Sequence, residues 1–389
     1  MKSVEIKESN VAEVVVGICF LIGLFLPHIN AFLMLFNIFM CIFLYINYKG
    51  KCNPKLTPFK IILIISLLIS FVVNLPTLNL GGKAILTFAY ILLLFYTFPM
   101  IGSVRIRNMY LYISLSIILL SQLVFVINYI PGIFLIDILY PVPEEDLNKY
   151  EYFVNEAAGT LSQSLSLRNS GLFRNPNQTS KYLCLILACF LLENKKMKLN
   201  KFLFFIPACF LSIIMTGSRT GLVVSSLLIV TWTFYNRKIK KGYKAFALFC
   251  FFIIASIIAF GKTEIRGANI SDGLEKSANV KFDILSGYLN SDVSVLSFFW
   301  GNIDSNDIHF DSEYGFFIFN YGVIGFVLYL IFWYKMFKST NKTDKIVYLF
   351  LLWMVSSTIM LSYRCAFVAM LMFSRFYSER HYKYKEVIK

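Results

Sequence analysis

Twelve apolar segments, most joined by little intervening chain, constrain this sequence more than any other feature in it. They cover residues 11–27, 30–47, 59–76, 84–101, 109–130, 178–193, 202–217, 220–235, 244–260, 314–333, 345–361 and 363–378. Each comes close to the length that a helix rising about 1.5 Å per residue needs to cross an apolar layer of about 30 Å. Backbone buried in hydrocarbon must satisfy its own N–H and C=O groups, and a helix does so within one segment. The expected fold is therefore all-α: a polytopic membrane protein of about 12 transmembrane helices, a single integral membrane domain over residues 1–389. Composition agrees. Charged residues make up 15% of the chain and hydrophobic ones 58%, where a soluble domain carries roughly 25% charged. The mean hydropathy is +0.67. The 40 Phe and 23 Tyr suit lipid-facing surface and interfacial belts. The first segment is long and lacks a small-residue cleavage site, so it reads as a retained span rather than a signal peptide.

The formal charge is +15, which in a soluble chain would suggest nucleic acid. Here its distribution gives sidedness instead. With the N-terminus in the cytoplasm, the inward loops hold Lys49, Lys51, Lys55 and Lys60; Arg105 and Arg107; Lys195, Lys196, Lys198 and Lys201; Arg237, Lys238, Lys240, Lys241 and Lys244; and Lys335, Lys338, Lys342 and Lys345. With the two tails these account for 26 of the 37 basic residues. Every inward loop is basic, as the positive-inside rule requires, and both tails fall inside. Two external loops are long, at about 131–177 and 261–313. Long loops on one face of a rigid scaffold are usual places for binding and catalysis. The eight cysteines include no C-x-x-C pair and none in a segment placed firmly outside. Neither disulfides nor a metal cage is expected.

Four external contexts carry the residues able to do chemistry. Arg168, Arg174, Asn177 and Gln178 lie where the first long loop runs through Asn175-Pro176 into the next helix. Arginines and amides at a helix N-terminus suit an anion, because the helix end supplies N–H groups and a favourable dipole; an ordinary capped re-entry loop has the same composition. Thr216-Gly217-Ser218-Arg219-Thr220-Gly221 joins two apolar segments with almost no loop, so Arg219 sits at the membrane boundary. A phosphate would pair its guanidinium bidentately; snorkelling to headgroups is the plainer account. In His309-Phe310-Asp311-Ser312-Glu313-Tyr314-Gly315, a His and two carboxylates stand at the start of the tenth segment. They could form a general base with its orienter, or Asp311 or Ser312 could simply cap the helix. Arg364 occupies the short turn after the eleventh segment and joins the same anion site or anchors a helix. Lys281 lies in the second long loop.

In this order and on one face, the R-x-x-G-x-F-x-N-P-N stretch at 168–177, the SRTG at 218–221 and the His-plus-acid segment before GFFIFNYGVIG (315–325) resemble the O-antigen polymerase and O-antigen ligase superfamily of bacterial cell envelopes. The plan of about a dozen spans with a major external loop before the last motif is similar too. The resemblance implies a type C glycosyltransferase fold and metal-independent transfer of a glycan from undecaprenyl diphosphate, with no cofactor, on the outer face of the bacterial cytoplasmic (inner) membrane. It implies that Arg168, Arg174 and Arg219 hold the diphosphate, at a site that Arg364 could join. His309 would be the base, alongside Asp311 and Glu313. Asn177, Ser218 and Lys281 would line the substrate loop. It further implies a lipid-linked oligosaccharide as substrate and a chain-length regulator as partner. The chain departs from the family where many relatives carry S-x-R-x-x-x-W early in the second loop. Lys281 in NVKFDIL is the nearest counterpart, without the Trp.

The chemistry fits these residue types independently. Diphosphate is already a good leaving group, so transfer needs charge stabilisation as it departs and one deprotonated hydroxyl. The expected function is polymerisation of repeat units into surface polysaccharide, with nucleic acid excluded as a partner. The alternatives are a ligase that moves glycan to lipid A core and, in a different class, a flippase for lipid-linked oligosaccharides. A transporter is expected to place charged or Gly/Pro-broken positions at mid-membrane, whereas the polar groups here crowd one face.

Overall fold

The computed structural model describes residues 2–25, 30–48, 56–75, 82–97, 107–128, 176–193, 204–236, 294–302, 312–340 and 342–354, with isolated residues at 239–249 and 360–372. Among them there is no strand. The helices are α1 (Lys2–Phe25), α2 (Asn30–Tyr48), α3 (Thr57–Asn74), α4 (Gly82–Thr97), α5 (Asn108–Asn128), α6 (Pro176–Glu193), α7 (Phe205–Met215), α8 (Arg219–Tyr235), α9 (Val295–Trp300), α10 (Glu313–Ser339) and α11 (Phe350–Met354). Two stretches are long and apolar enough to cross a membrane by length and composition, Thr57–Asn74 and Glu313–Lys338; eight others are shorter apolar helices.

The structure departs from the sequence reading in two segments. The eleventh, 345–361, opens with a 3₁₀ helix over Lys342–Leu349 that leads into α11, and 355–359 lie outside the described residues. Met360 lies off any helix. The second long loop, expected outside over 261–313, contributes α9, which packs on α3 and α10. The ninth segment lies mostly outside the described residues.

The chain divides into two compact units: Met1–Tyr110 with Ala188–Lys195 and Tyr288–Lys389, and Leu111–Leu187 with Lys196–Gly287. In the first unit α3 is apolar on the outside and polar within. Ile61, Ile62, Ile65, Leu68, Ile69 and Val72 are exposed, while Ser66, Ser70 and Asn74 are buried. The opposite arrangement is the rule for a helix facing water. Two loops assigned to one face by their charge meet at one end of this unit, beside the end of α4. Lys60 lies over the Tyr96 ring at 4.6 Å, Lys335 over Phe59 at 4.3 Å and Lys345 over Phe337 at 4.2 Å. Cation–π contacts of this kind hold each ammonium on an aromatic face. Arg107 pairs with Glu13 of α1 at 3.7 Å.

In the second unit α5 and α7 run parallel. The Tyr112 and Phe205 rings meet near their starts, 5.0 Å apart. A reciprocal pair ties them further along: Gln122 Nε2 donates to Ser212 O at 3.0 Å and Ser212 Oγ donates to Gln122 Oε1 at 2.5 Å. At the far end of α8, Lys244 Nζ donates to the Phe234 carbonyl at 2.9 Å, a cation where the helix dipole favours one.

Candidate functional site

The SRTG turn is built from backbone upward. Thr216 ends α7, and its hydroxyl donates to Ile213 O at 2.6 Å. Gly217 takes φ +60, the left-handed conformation that a glycine adopts without strain. Ser218 is then extended and caps α8: its Oγ accepts from Gly221 N at 3.3 Å. Arg219 is the first residue of α8. This local chain reversal places the N-terminus of α8 beside the first turns of α6. A Cβ on Gly221 would collide with Ser180 Oγ and lie 3.1 Å from Ser180 Cβ and 3.3 Å from Ile213 Cγ2. One turn later, Cys184 Sγ donates to Gly221 O at 3.5 Å. The starts of α6 and α8 therefore meet, and both helix dipoles present their positive ends there. Asn177 is exposed in the first turn of α6, and Ser180 is buried with a hydroxyl that finds no protein partner.

Gly221 thus reserves a notch that the Ser180 hydroxyl fills. Gly221→Ala overpacks it and is expected to destabilise the protein by about 1–3 kcal/mol. Ser180→Ala removes the colliding oxygen, an unsatisfied group in any case, and should restore most of the loss in the double variant. Thermal unfolding of the purified protein in detergent checks this. Equal destabilisation with and without Ser180→Ala would overturn the account.

In the first unit the polar centre is the start of α10. Ser312 is its N-cap: Oγ accepts from Gly315 N at 3.2 Å. Of the two residues the sequence offers as the cap, the structure selects this one. The next residue, Glu313, is fully buried. Its Oε1 accepts the Tyr329 hydroxyl at 2.5 Å and its Oε2 accepts Met360 N–H at 2.9 Å. The Ser312 hydroxyl donates to Met354 O at 3.1 Å and Tyr314 to Leu351 O at 2.9 Å. Tyr90 of α4 donates to Met360 O at 2.9 Å.

Further along α10 the helix is broken. Gly322 sits at φ 66, ψ −176, and Gly301, just after α9, at φ 80, ψ −178. Their backbones interlock. A Cβ on Gly301 would strike the Asn320 backbone, and one on Gly322 the Phe299 carbonyl, with Gly301 N at 2.6 Å. The Phe319 carbonyl, freed from the helical ladder, accepts Asn302 N–H at 2.7 Å. The Ser70 hydroxyl of α3 points between the carbonyls of Trp300 and Asn320, 3.3 Å from the latter. A break inside an apolar helix persists only if its freed groups are satisfied in this way.

Of the sequence-derived site residues, Asn177, Ser218 and Glu313 are placed as above, and Arg219 by its backbone. Arg168, Arg174, Lys281, His309, Asp311 and Arg364 lie outside the described residues. Tyr329, Tyr90, Ser180 and the Gly301–Gly322 pair were not singled out by the sequence reading. The N-Y-G within GFFIFNYGVIG is the one local signal, since an Asn and a Gly two positions apart in an apolar run are breakers. Comparison with family models, curated proteins and solved structures found no match to this chain.

Proposed function

We propose that this chain is an integral membrane glycosyltransferase of the bacterial cytoplasmic membrane that joins undecaprenyl-diphosphate-linked oligosaccharide units into surface polysaccharide, such as O-antigen, capsule or exopolysaccharide. The observation that carries the membrane reading is α3, whose exposed face is Ile, Leu and Val and whose buried face holds Ser and Asn. Twelve spans with both tails inside are the arrangement in which the basic loops share one side. In support, the Lys60, Lys335 and Lys345 contacts gather two such loops at one end of the first unit. In the second unit the Ser218–Gly221 turn lies at the other end of α8 from Lys244, which holds the Phe234 carbonyl. The external loops at about 131–177 and 261–313 bring the remaining candidates to that face.

In this reading Arg168, Arg174, Arg219 and Arg364 neutralise the diphosphate as its bond to the sugar breaks. His309 takes the proton of the attacking hydroxyl, with Asp311 beside it. Asn177, Ser218 and Lys281 line the substrate path. No metal or cofactor is assigned a step. A chain-length regulator is the expected protein partner. A ligase acting on lipid A core uses the same donor chemistry. One specific observation favours a lipid-linked oligosaccharide flippase: α10 is interrupted at Gly322, nine residues or about 14 Å from its start, and transporters use broken helices near mid-membrane.

Deleting the gene and running surface glycan on a gel separates the three. Loss of the ladder with a single repeat unit retained is the expected result. Long lipid-linked polymer without attached glycan would replace the reading with the ligase, and single units held on the cytoplasmic leaflet would replace it with the flippase.

A further inference from the structure

Helix α9 turns its large apolar side chains outward. Val295, Leu296, Phe298 and Phe299 are all exposed, and none of its six residues is buried. A helix this short does not hold together in water by itself, and a run of large apolar side chains facing water is a liability. Its polar groups are met by the protein instead. At its start Ser294 Oγ accepts Ser297 N–H at 3.1 Å and lies 2.9 Å from the Ser297 hydroxyl. At its end Gly301 N–H donates to Ser297 O at 2.7 Å and Asn302 N–H to Phe319 O at 2.7 Å, while the Trp300 carbonyl accepts the Ser70 hydroxyl. Gly301 itself is buried. Non-helical backbone is tolerated at membrane depth only when protein encloses it in this way.

We propose that α9 is a re-entrant segment: it enters the bilayer from the external face and sets Val295, Leu296, Phe298 and Phe299 against acyl-chain hydrocarbon. The proposal rests on the reading of α3 and α10 as membrane spans with their lysine ends in the cytoplasm. Depth then follows from two helices measured separately. Ser70, which holds the Trp300 carbonyl, is ten residues or about 15 Å along α3 from Lys60. Gly322, against which the Phe299 and Gly301 backbones close in, is 13 residues or about 20 Å from Lys335 and nine residues or about 14 Å from the start of α10. In an apolar layer of about 30 Å both contacts fall near the middle, so the last turn of α9 lies there too. α9 packs on α3 at a level where the outward face of that helix is Leu68, Ile69 and Val72, all exposed. Its own apolar surface therefore belongs with one already read as lipid-facing.

Tryptophan fluorescence of the full chain in lipid nanodiscs tests the contact. Val295→Trp adds one indole on α9, and Ile69→Trp adds one on the outward face of α3 as a control. The extra emission of each over the native protein is read with two quenchers. Phosphatidylcholine brominated near the middle of its acyl chains reports contact with hydrocarbon, and iodide reports contact with water. The expected result is that bromolipid removes most of the extra emission at both positions and iodide leaves it. Val295→Trp emission that iodide quenches and bromolipid spares, with Ile69→Trp still answering to bromolipid, overturns the proposal and leaves the membrane reading intact. Emission that neither quencher touches also overturns it, since the face is then covered by protein. An Ile69→Trp signal quenched by iodide alone sinks the membrane reading, and the proposal with it. Should Val295→Trp fail to accumulate, Phe298→Trp exchanges one aromatic for another a helical turn away on the same side, and the same outcomes apply.

Discussion

Gly322→Ala and Gly301→Ala are expected to prevent stable folding or to lower the unfolding temperature by more than any other single-methyl change in the described residues. Both glycines hold a positive φ with ψ near 180°. That region is open in practice to glycine alone, and forcing another residue into it costs about 1–3 kcal/mol. A second penalty comes from space. The added methyl at either position meets backbone rather than a side chain that can turn away: the Asn320 peptide from Gly301, and the Phe299 carbonyl from Gly322. Overpacking of this kind costs a further 1–3 kcal/mol or so. Relief requires α9 to back away from α10, which would undo the bond between Asn302 N–H and Phe319 O and strand the Ser70 hydroxyl. Against a total stability of about 5–15 kcal/mol the sum is large. Gly23→Ala is the control, since its methyl would find only Phe36 Cε1 at 3.8 Å. Thermal unfolding in detergent is the measurement, and a Gly322→Ala protein as stable as the Gly23→Ala control would refute the interlock.

That interlock marks where legibility in the sequence ends. Hydrophobic period and length place α2, α3, α5, α6 and α8 within two residues of their observed starts, because a helix in an apolar setting is determined by local composition and its own hydrogen bonds. The cap at Ser312 is legible for the same reason: a Ser before Glu and Gly is a local signal. Non-local partners are not legible. Nothing near Gly322 announces that Gly301, 21 positions earlier, will occupy the space its missing side chain leaves. Nothing near Glu313 announces Tyr329 or Met360. The segment at 345–361 reads as one apolar run, and nothing in it announces that the Tyr314 and Ser312 hydroxyls will donate to the Leu351 and Met354 carbonyls. Glu313 shows the limit most clearly. Its place beside His309 and Asp311 suggests acid–base work, and its burial under two donors is visible only in three dimensions.

Arg219→Ala is expected to collapse the polysaccharide ladder to the single-unit band, with protein still present in the membrane at the native level. The expectation starts from the backbone. Gly217 turns the chain, Ser218 caps α8, and residue 219 opens the helix with first-turn N–H groups around it. Such groups lack intrahelical acceptors. They and the dipole favour an anion there, and α6 adds its own N-terminus through the Ser180–Gly221 contact. In the proposed reading the Arg219 guanidinium grips a phosphate with two parallel hydrogen bonds. Removing one positioned donor from a developing negative charge typically costs a factor of about 10²–10³ in rate, enough to end repeated addition. Arg219→Lys keeps the charge but not the planar fork, so it should leave short ladders between the two extremes. The cap is untouched by either change, because Ser218 and Gly221 still pair. Loss of the protein from the membrane would therefore point to a structural arginine, whereas a full-length ladder from Arg219→Ala would remove the diphosphate role altogether. A graded series, with native above lysine and lysine above alanine at equal protein level, is the outcome that only phosphate recognition produces.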